Sequence, residues 1–246
     1  MLSDNGTAVG DNSMIGMNAQ NATAIGQDAQ ALATDATAIG QGSRATFVGA
    51  TAIGQGAQAI NDPTTAVGFM AVASGTNASA FGANAVASGN NSTAIGQGAR
   101  ATATNSAAFG RAAQATRANQ VAIGTATNTY TFAGVTSPAS RAVQSGPTQL
   151  LTTDGNGNIA SDGGSYARTI DENTEGVAMA MAMDAPDLRQ HERFALKGNW
   201  GNFEGENALA FTGTVRLSQR VSFDAGIGIG TNHGNVGGRA GLRIGW

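Results

Sequence analysis

Two histidines, His191 and His233, and a charged set near the C-terminus, Arg216, Asp224, Arg239 and Arg243, are the side chains here best suited to chemistry. A histidine exchanges protons near neutral pH and ligates zinc. These two are far apart in sequence and each adjoins a turn, where an imidazole is ordinarily solvated, so a metal pair would have to form between chains. Asp224 shares its strand parity with the arginines, and a pairing with Arg216 or Arg239 reads as a structural network rather than a proton relay. Serine and threonine are abundant, but none sits in the G-x-S-x-G elbow that raises a nucleophile between strand and helix. The run Gly226 to Gly230 is followed by no helix, so it lacks what a phosphate-holding glycine loop needs. With 0 Cys, thiol chemistry, disulfides and Cys-ligated metals are excluded. The formal net charge of -3 offers nothing to a nucleic acid. The sequence reads as no enzyme and requires no cofactor.

The charged set lies within Arg193 to Trp246, where apolar residues recur at every second position in four runs. Period two is the strand signature, and runs of about ten residues match tilted strands crossing a bilayer. Alternation puts Phe194, Leu196, Trp200, Leu209, Phe211, Val215, Leu217, Val221, Phe223, Ile227, Ile229, Leu242, Ile244 and Trp246 on one face, expected to meet lipid. Thr212, Arg216, Asp224, Gly226, Gly228, Arg239 and Arg243 fall on the other, expected to line a pore. A soluble four-stranded sheet is the plainer reading. Against it, the second face carries glycines and small residues where a solvated sheet would carry Lys, Glu and Thr. Such a face suits a lumen with something packed inside. Lipid leaves no partner for open sheet edges, so four strands must close with those of other chains. Two chains would give a barrel filled by its own side chains; three leave room for segments threading through.

This tail resembles the membrane anchor of trimeric autotransporter adhesins, the YadA-like class. The resemblance implies a homotrimer in which each chain gives four strands to a twelve-stranded barrel, with three helices through the pore. It also implies outer-membrane lipid as the solvent, the barrel-assembly machinery as a partner, and a head exposed at the cell surface. The family usually keeps a pore-facing glycine midway along the second strand. Here alternation puts Thr212 in that place and turns Gly213 to lipid.

The first half of the chain is a repeat array. Glycines recur at Gly26, Gly40, Gly54, Gly68, Gly82, Gly96, Gly110 and Gly124, always at intervals of fourteen. Alanine and then a larger apolar residue precede each one, the latter being Ile25, Ile39, Ile53, Val67, Phe81, Ile95, Phe109 and Ile123. Fourteen residues suit two short strands and two turns, and stacked coils of that kind make a parallel β-solenoid. Eight coils at about 4.8 Å each would rise roughly 40 Å. The larger apolar column is expected to fill the core alongside several alanines per coil, with glycine ending the strand where a side chain would obstruct the turn. The repeat resembles the head repeat of YadA-like adhesins, which implies a left-handed parallel β-roll. Threonine (Thr23, Thr37, Thr51, Thr65, Thr93) stands where the family form has valine, so either the core is more polar or these threonines face out. Their spacing also raises an ice-binding ladder as a rival.

Between the two lies a connector. A short strand pattern falls at Tyr130 and Phe132, an irregular segment between Pro138 and Pro147, a small hairpin around Asp154 to Asn158, and a flexible joint from Ser161 to Ser165. From Tyr166 to Pro186 the chain carries VAMAMAM; Ala and Met favour helix over strand, and slender residues suit helices packed inside a narrow barrel. Pro186 is expected to end that helix. Heptad signals are almost absent, so the stalk is short.

The expected organisation is therefore head repeats over 1–124, a connector over 125–165, a short stalk and pore helix over 166–186, and a membrane anchor over 187–246, mainly β throughout. The expected role is a surface adhesin whose barrel anchors the chain and exports its head, which then binds a surface, matrix or other cells. An ice- or surface-binding solenoid and a soluble fibre protein of the phage type remain as alternatives. MLSDNGTAVGDNS has no basic region followed by an apolar one, so a signal peptide is expected upstream of Met1.

Overall fold

The structure is a computed structural model and describes residues 5–245. The chain divides into two compact units, 1–131 and 132–246.

The first unit is a parallel solenoid. Among the described residues, one sheet stacks nine strands from Thr7–Val9 to Val121–Ile123, and a second stacks eight from Met14–Ile15 to Gln114–Ala115. From Thr23 onward the register advances by one repeat per coil, as in Thr23↔Thr37↔Thr51↔Thr65. Each strand therefore finds both hydrogen-bonding neighbours within the same chain, except at the two ends of the stack.

Four inward positions per coil form the core, and they are almost all alanine. Ala50, Ala52, Ala57 and Ala59 are 0 % exposed, and equivalent sets repeat up the stack. The exceptions are small hydroxyl residues. Ser43, Thr64 and Ser106 each donate to the carbonyl three residues back, Gly40, Asn61 and Ala103 respectively.

This corrects the expected core. Ile25, Ile53, Phe81, Ile95, Phe109 and Ile123 are 36–54 % exposed, and Ile39 and Val67 are only half-buried. The physical reason is spacing. Turns of a few residues join the two sheets, which forces them closer than the ~10 Å of ordinary stacked sheets. A methyl group fits that gap and a branched side chain does not. Period two then sends the residues on either side of each buried alanine outward. Thr23, Thr37, Thr51, Thr65 and Thr93 share that outward side, half-buried, which settles the alternative left open by the sequence. Their column is interrupted by Ser79 and Ala107 and runs beside the Ile and Phe column, so it is no flat threonine face.

Glycine at the end of each longer strand is required. Gly40 has φ +128°, and a Cβ on it would lie 2.5 Å from the carbonyl oxygen of Gly54 in the next coil. Side-chain ladders bind the turns: Gln55 to Gln41 at 2.9 Å, Asn91 to Asn105 at 3.0 Å and Asn105 to Asn119 at 3.1 Å. Tyr130 forms no strand; its hydroxyl donates to the Ile123 carbonyl at the end of the last strand.

In the second unit, Phe132 also lies outside any strand, and the segment read as irregular contains a short helix, Pro138–Ala142, capped by Ser137. Leu151–Thr153 and Ile159–Ser161 form the hairpin, its turn held by Asp154 Oδ1 accepting from the N–H groups of Asn156 and Asn158. The expected flexible joint is a helix start. Asp162 accepts from the N–H groups of Leu150, Gly164 and Tyr166, tying the hairpin to a long helix, Ser165–Ala182. That helix ends four residues before Pro186. Proline disfavours helix at the residue before it, and the freed carbonyls of the last turn are taken up by the sheet described next.

Candidate functional site

Four antiparallel strands, Phe194–Phe203, Glu206–Arg216, Val221–Gly230 and Val236–Ile244, form a consecutive meander against one side of the long helix. Its two faces differ completely.

On the outer face, cross-strand rows run through all four strands. One row is Phe194, Val215, Phe223 and Leu242; another is Trp200, Leu209, Ile229 and Val236. Between them lies a slimmer row of Leu196, Gly213, Ala225 and Ala240. A Cβ on Gly213 would come within 2.9 Å of Leu196 Cδ2, so the leucine leans into that space. Phe194, Leu196, Trp200, Leu209, Phe211, Val215, Leu217, Phe223, Ile227, Ile229, Leu242 and Ile244 are exposed, and Val221 is half-buried on the same side. Val236, 64 % exposed, belongs to this set and was not singled out in the sequence, because glycines at Gly237 and Gly238 conceal the alternation there. Trp246 lies outside the described residues.

The inner face is built for close approach. Ala208 and Ala210 are buried against the helix residues Ala178, Met179, Ala182 and Met183. Opposite Ala210 and Ala208 stand Gly228 and Gly230. A Cβ on Gly228 would lie 2.7 Å from Met183 Cε, and one on Gly201 only 2.3 Å from the Ala178 carbonyl oxygen. Glycine and alanine let the helix lie directly on the sheet.

Toward the other end this face becomes polar, and it holds the segment that leads from the helix into the first strand. Asn199 donates to the Ala182 carbonyl at 2.9 Å, Arg239 to the Met183 carbonyl at 2.5 Å, and Thr212 to the Asp184 carbonyl at 2.7 Å. These are carbonyls that a helix end leaves without an internal partner. Arg216 donates to the carbonyls of Leu188, Arg189 and Gln190. Of the two arginines considered for Asp224, the structure selects Arg239, at 3.2 Å; Arg243 reaches Asp187 at 3.5 Å. Lys197, on the same face, pairs with Asp184 at 2.5 Å. Where a glycine was expected, Thr212 stands with a glycine opposite it: a Cβ on its partner Gly226 would lie 2.5 Å from Thr212 Cγ2.

All seven residues assigned to the inner side, Thr212, Arg216, Asp224, Gly226, Gly228, Arg239 and Arg243, share that face. One further residue there escaped the sequence reading. Glu175 of the helix is 0 % exposed, its carboxylate accepting from the backbone of the turn between the third and fourth strands. A glutamate one turn ahead of an apolar helix stretch carries no signal of burial by itself. The histidines stand at opposite ends of the sheet. His191 precedes the first strand, and His233, in the far turn, lies 3.8 Å from Glu206. Among the described residues, no group of three or more His, Cys, Asp or Glu is placed to hold a metal.

Comparison with known proteins agrees with both halves. The YadA head domain repeat matches residues 18–43, 33–57, 59–85, 73–99 and 101–127. The YadA-like membrane anchor domain matches residues 186–246. Among solved structures, the collagen-binding domain of the Yersinia adhesin YadA aligns at 24% identity and a TM-score of 0.37, covering 69% of this chain and 86% of that one. No curated protein matches the chain. With head repeats in the first half and the membrane anchor in the last quarter, the chain belongs to the YadA-like family of trimeric autotransporter adhesins.

Proposed function

We propose that three copies of the C-terminal sheet close into a twelve-stranded barrel in the bacterial outer membrane, with three long helices in its lumen, and that this anchor exports and then displays the head as an adhesin. One observation carries the reading: a sheet whose outer face is a continuous exposed apolar surface and whose outermost strands, Phe194–Phe203 and Val236–Ile244, each lack a neighbour on one side among the described residues. Edges of this kind are incompatible with lipid unless they pair. Pairing the first strand of one copy with the fourth of the next satisfies both, and repeating the step three times closes the ring.

The topology supplies a direction. The helix passes the turn at 231–235 at Glu175 and its upstream end lies beyond it, so the turns at 204–205 and 231–235 face outward with the upstream chain. The connecting segment at 183–193 and the turn at 217–220 face the periplasm. In the head, the exposed column from Ile25 to Ile123, one residue per coil, is the natural contact between copies. The adhesive surface then consists of three parallel stacks of near-identical coils, each site weak and their number multiplying the avidity. The family is one of adhesins rather than enzymes. The test is to express the chain behind a signal peptide and compare unboiled with boiled outer-membrane fractions. A heat-resistant band near three times 24.5 kDa supports the reading. A soluble monomer overturns it.

A further inference from the structure

We propose that Glu175 is the positioning residue that sets how far the helix stands in the barrel lumen, and so fixes where the exported chain stops. The inference rests on the anchor reading above.

Glu175 is fully buried, and its carboxylate is received by a cradle of backbone N–H groups. Oε1 accepts from Asn232 at 2.8 Å and from His233 at 2.9 Å; Oε2 accepts from Asn235 at 3.4 Å. The cradle exists only because residue 230 is glycine. A Cβ there would lie 1.9 Å from Glu175 Cδ. A buried carboxylate is tolerable when every lone pair it presents is hydrogen-bonded, and very unfavourable when it is not.

The rest of the helix–sheet contact specifies depth more weakly. The helix residues packed on the sheet are Ala178, Met179, Ala182 and Met183. Moving the helix outward by one turn, about 5.4 Å, puts Ala182 where Ala178 was and Met183 where Met179 was. Half of the apolar contact is reproduced after the slide, while Pro186 and Asp187 follow toward the places that Ala182 and Met183 leave. The carbonyls held by Asn199, Arg239 and Thr212 are also interchangeable, because each residue of a helix end and its following segment presents one. Among the charged side-chain contacts of this stretch only the Glu175 carboxylate is buried; the Asp184–Lys197 and Asp187–Arg243 pairs are solvent-exposed, and exposed ion pairs hold a register weakly. After an outward slide the N–H groups of the turn would face Met179, which cannot accept as a carboxylate does. One-turn displacements between packed elements are an established mode of protein motion, and a single buried polar group fixing register among degenerate apolar contacts is its best-attested structural use.

The test reads the register directly and uses the absence of natural cysteine, 0 in the chain. Met179 Cβ lies 3.4 Å from where a Cβ on Gly228 would stand, close to the Cβ separation of about 3.8 Å that a disulfide adopts. The pair Met179→Cys with Gly228→Cys therefore reports the native depth. Met183 already reaches Gly228 through its thioether methyl, 2.7 Å from such a Cβ, so the pair Met183→Cys with Gly228→Cys has a native background, and a helix moved out by one turn is read as a rise above it. In the full-length, membrane-assembled protein the native pair should cross-link efficiently on mild oxidation, and also with Glu175→Gln, which retains an acceptor for Asn232 and His233. With Glu175→Ala, and independently with Gly230→Ala, which displaces the carboxylate without removing it, the ratio of shifted to native cross-link should rise by about tenfold or more. If Glu175→Ala prevents assembly, the Gly230→Ala comparison decides. An unchanged ratio in the assembled variants overturns the proposal. A natural chain that forms no heat-resistant trimer overturns the anchor reading instead, and this one with it.

Discussion

The solenoid and the anchor sheet solve the same packing problem and stop at different points. Both place alanine and glycine inside and larger apolar residues outside. In the solenoid, Ala52 and Ala59 are sealed and Ile53 is exposed; in the anchor, Ala208 and Ala210 are sealed and Leu209 and Phe211 are exposed. The difference is in the backbone. Each solenoid coil finds its hydrogen-bonding partners in the coils above and below, so one chain nearly completes it. The anchor sheet pairs internally but, among the described residues, leaves two long edges open. The outer surfaces differ accordingly. The solenoid shows one apolar residue per coil with threonine beside it, which suits a protein neighbour. The anchor shows apolar rows across four strands, which suits lipid. Alanine-lined interiors let elements approach closely, and what remains outside then names the solvent or partner.

The largest expected effect lies at the anchor's outer face. Phe211→Arg places a charge in the middle of the apolar rows. It should cost about 2–4 kcal/mol per chain at bilayer mid-depth, and three copies should abolish the heat-resistant band in membrane fractions. The equivalent change in the solenoid, Ile53→Arg, should leave the isolated head folded by circular dichroism. Equal damage at both sites would erase the contrast between the two surfaces.

Next is the close approach between coils. Gly54→Val forces a side chain into φ +130° with its Cβ 2.5 Å from the Gly68 carbonyl oxygen. Strain of this kind costs on the order of 3 kcal/mol or more and should open the array to protease around that coil.

The inversion of the core is sharpened by a pair of opposite changes. Ala52→Val overfills the sealed interior and should destabilise the head by about 1–3 kcal/mol. Ile53→Ala should shift the melting free energy of a monomeric head by less than about 1 kcal/mol while weakening association between copies in sedimentation. The reverse ranking would restore the isoleucine column to the core.

The smallest effect concerns the helix start. N–H groups of Gly164, Tyr166 and Leu150 hold the Asp162 carboxyl below its ordinary value of 3.8. Because the folded pKa is lowered, the stabilisation is present above the unfolded value and is lost as pH falls through the folded one. Proteolysis at the junction of hairpin and helix should accelerate only in strong acid, and Asp162→Asn should remove most of that dependence.

Much of this was legible because repetition and alternation are local signals. The interval of fourteen, the obligatory glycine at Gly40 and its counterparts, the four strands, and the split of Phe211 from Thr212 all follow from the periods of coil and strand. The connector was less legible. Tyr130 and Phe132 look like alternating strand residues, yet neither lies in a strand, and Tyr130 instead donates to the Ile123 carbonyl. The helix ends at Ala182, ahead of Pro186, and the carbonyls of Ala182 and Met183 turn to Asn199 and Arg239, residues that follow it in the chain.

What the sequence determined alone was which residues share a side. Which side is inside does not follow from alternation, because apolar residues lie on both: the isoleucine column was expected in the solenoid core and lies outside it, whereas the small-residue face of the tail was expected inward and meets the helix. In the solenoid that was decided by the narrow gap between two sheets joined by short turns, which admits methyl groups and turns Ile53 out. In the anchor it was decided by the helix, which needs Gly201, Gly228 and Gly230 to come close enough for Glu175 to reach its turn. Both outcomes depend on distances between elements remote in the chain, and no local pattern encodes such a distance.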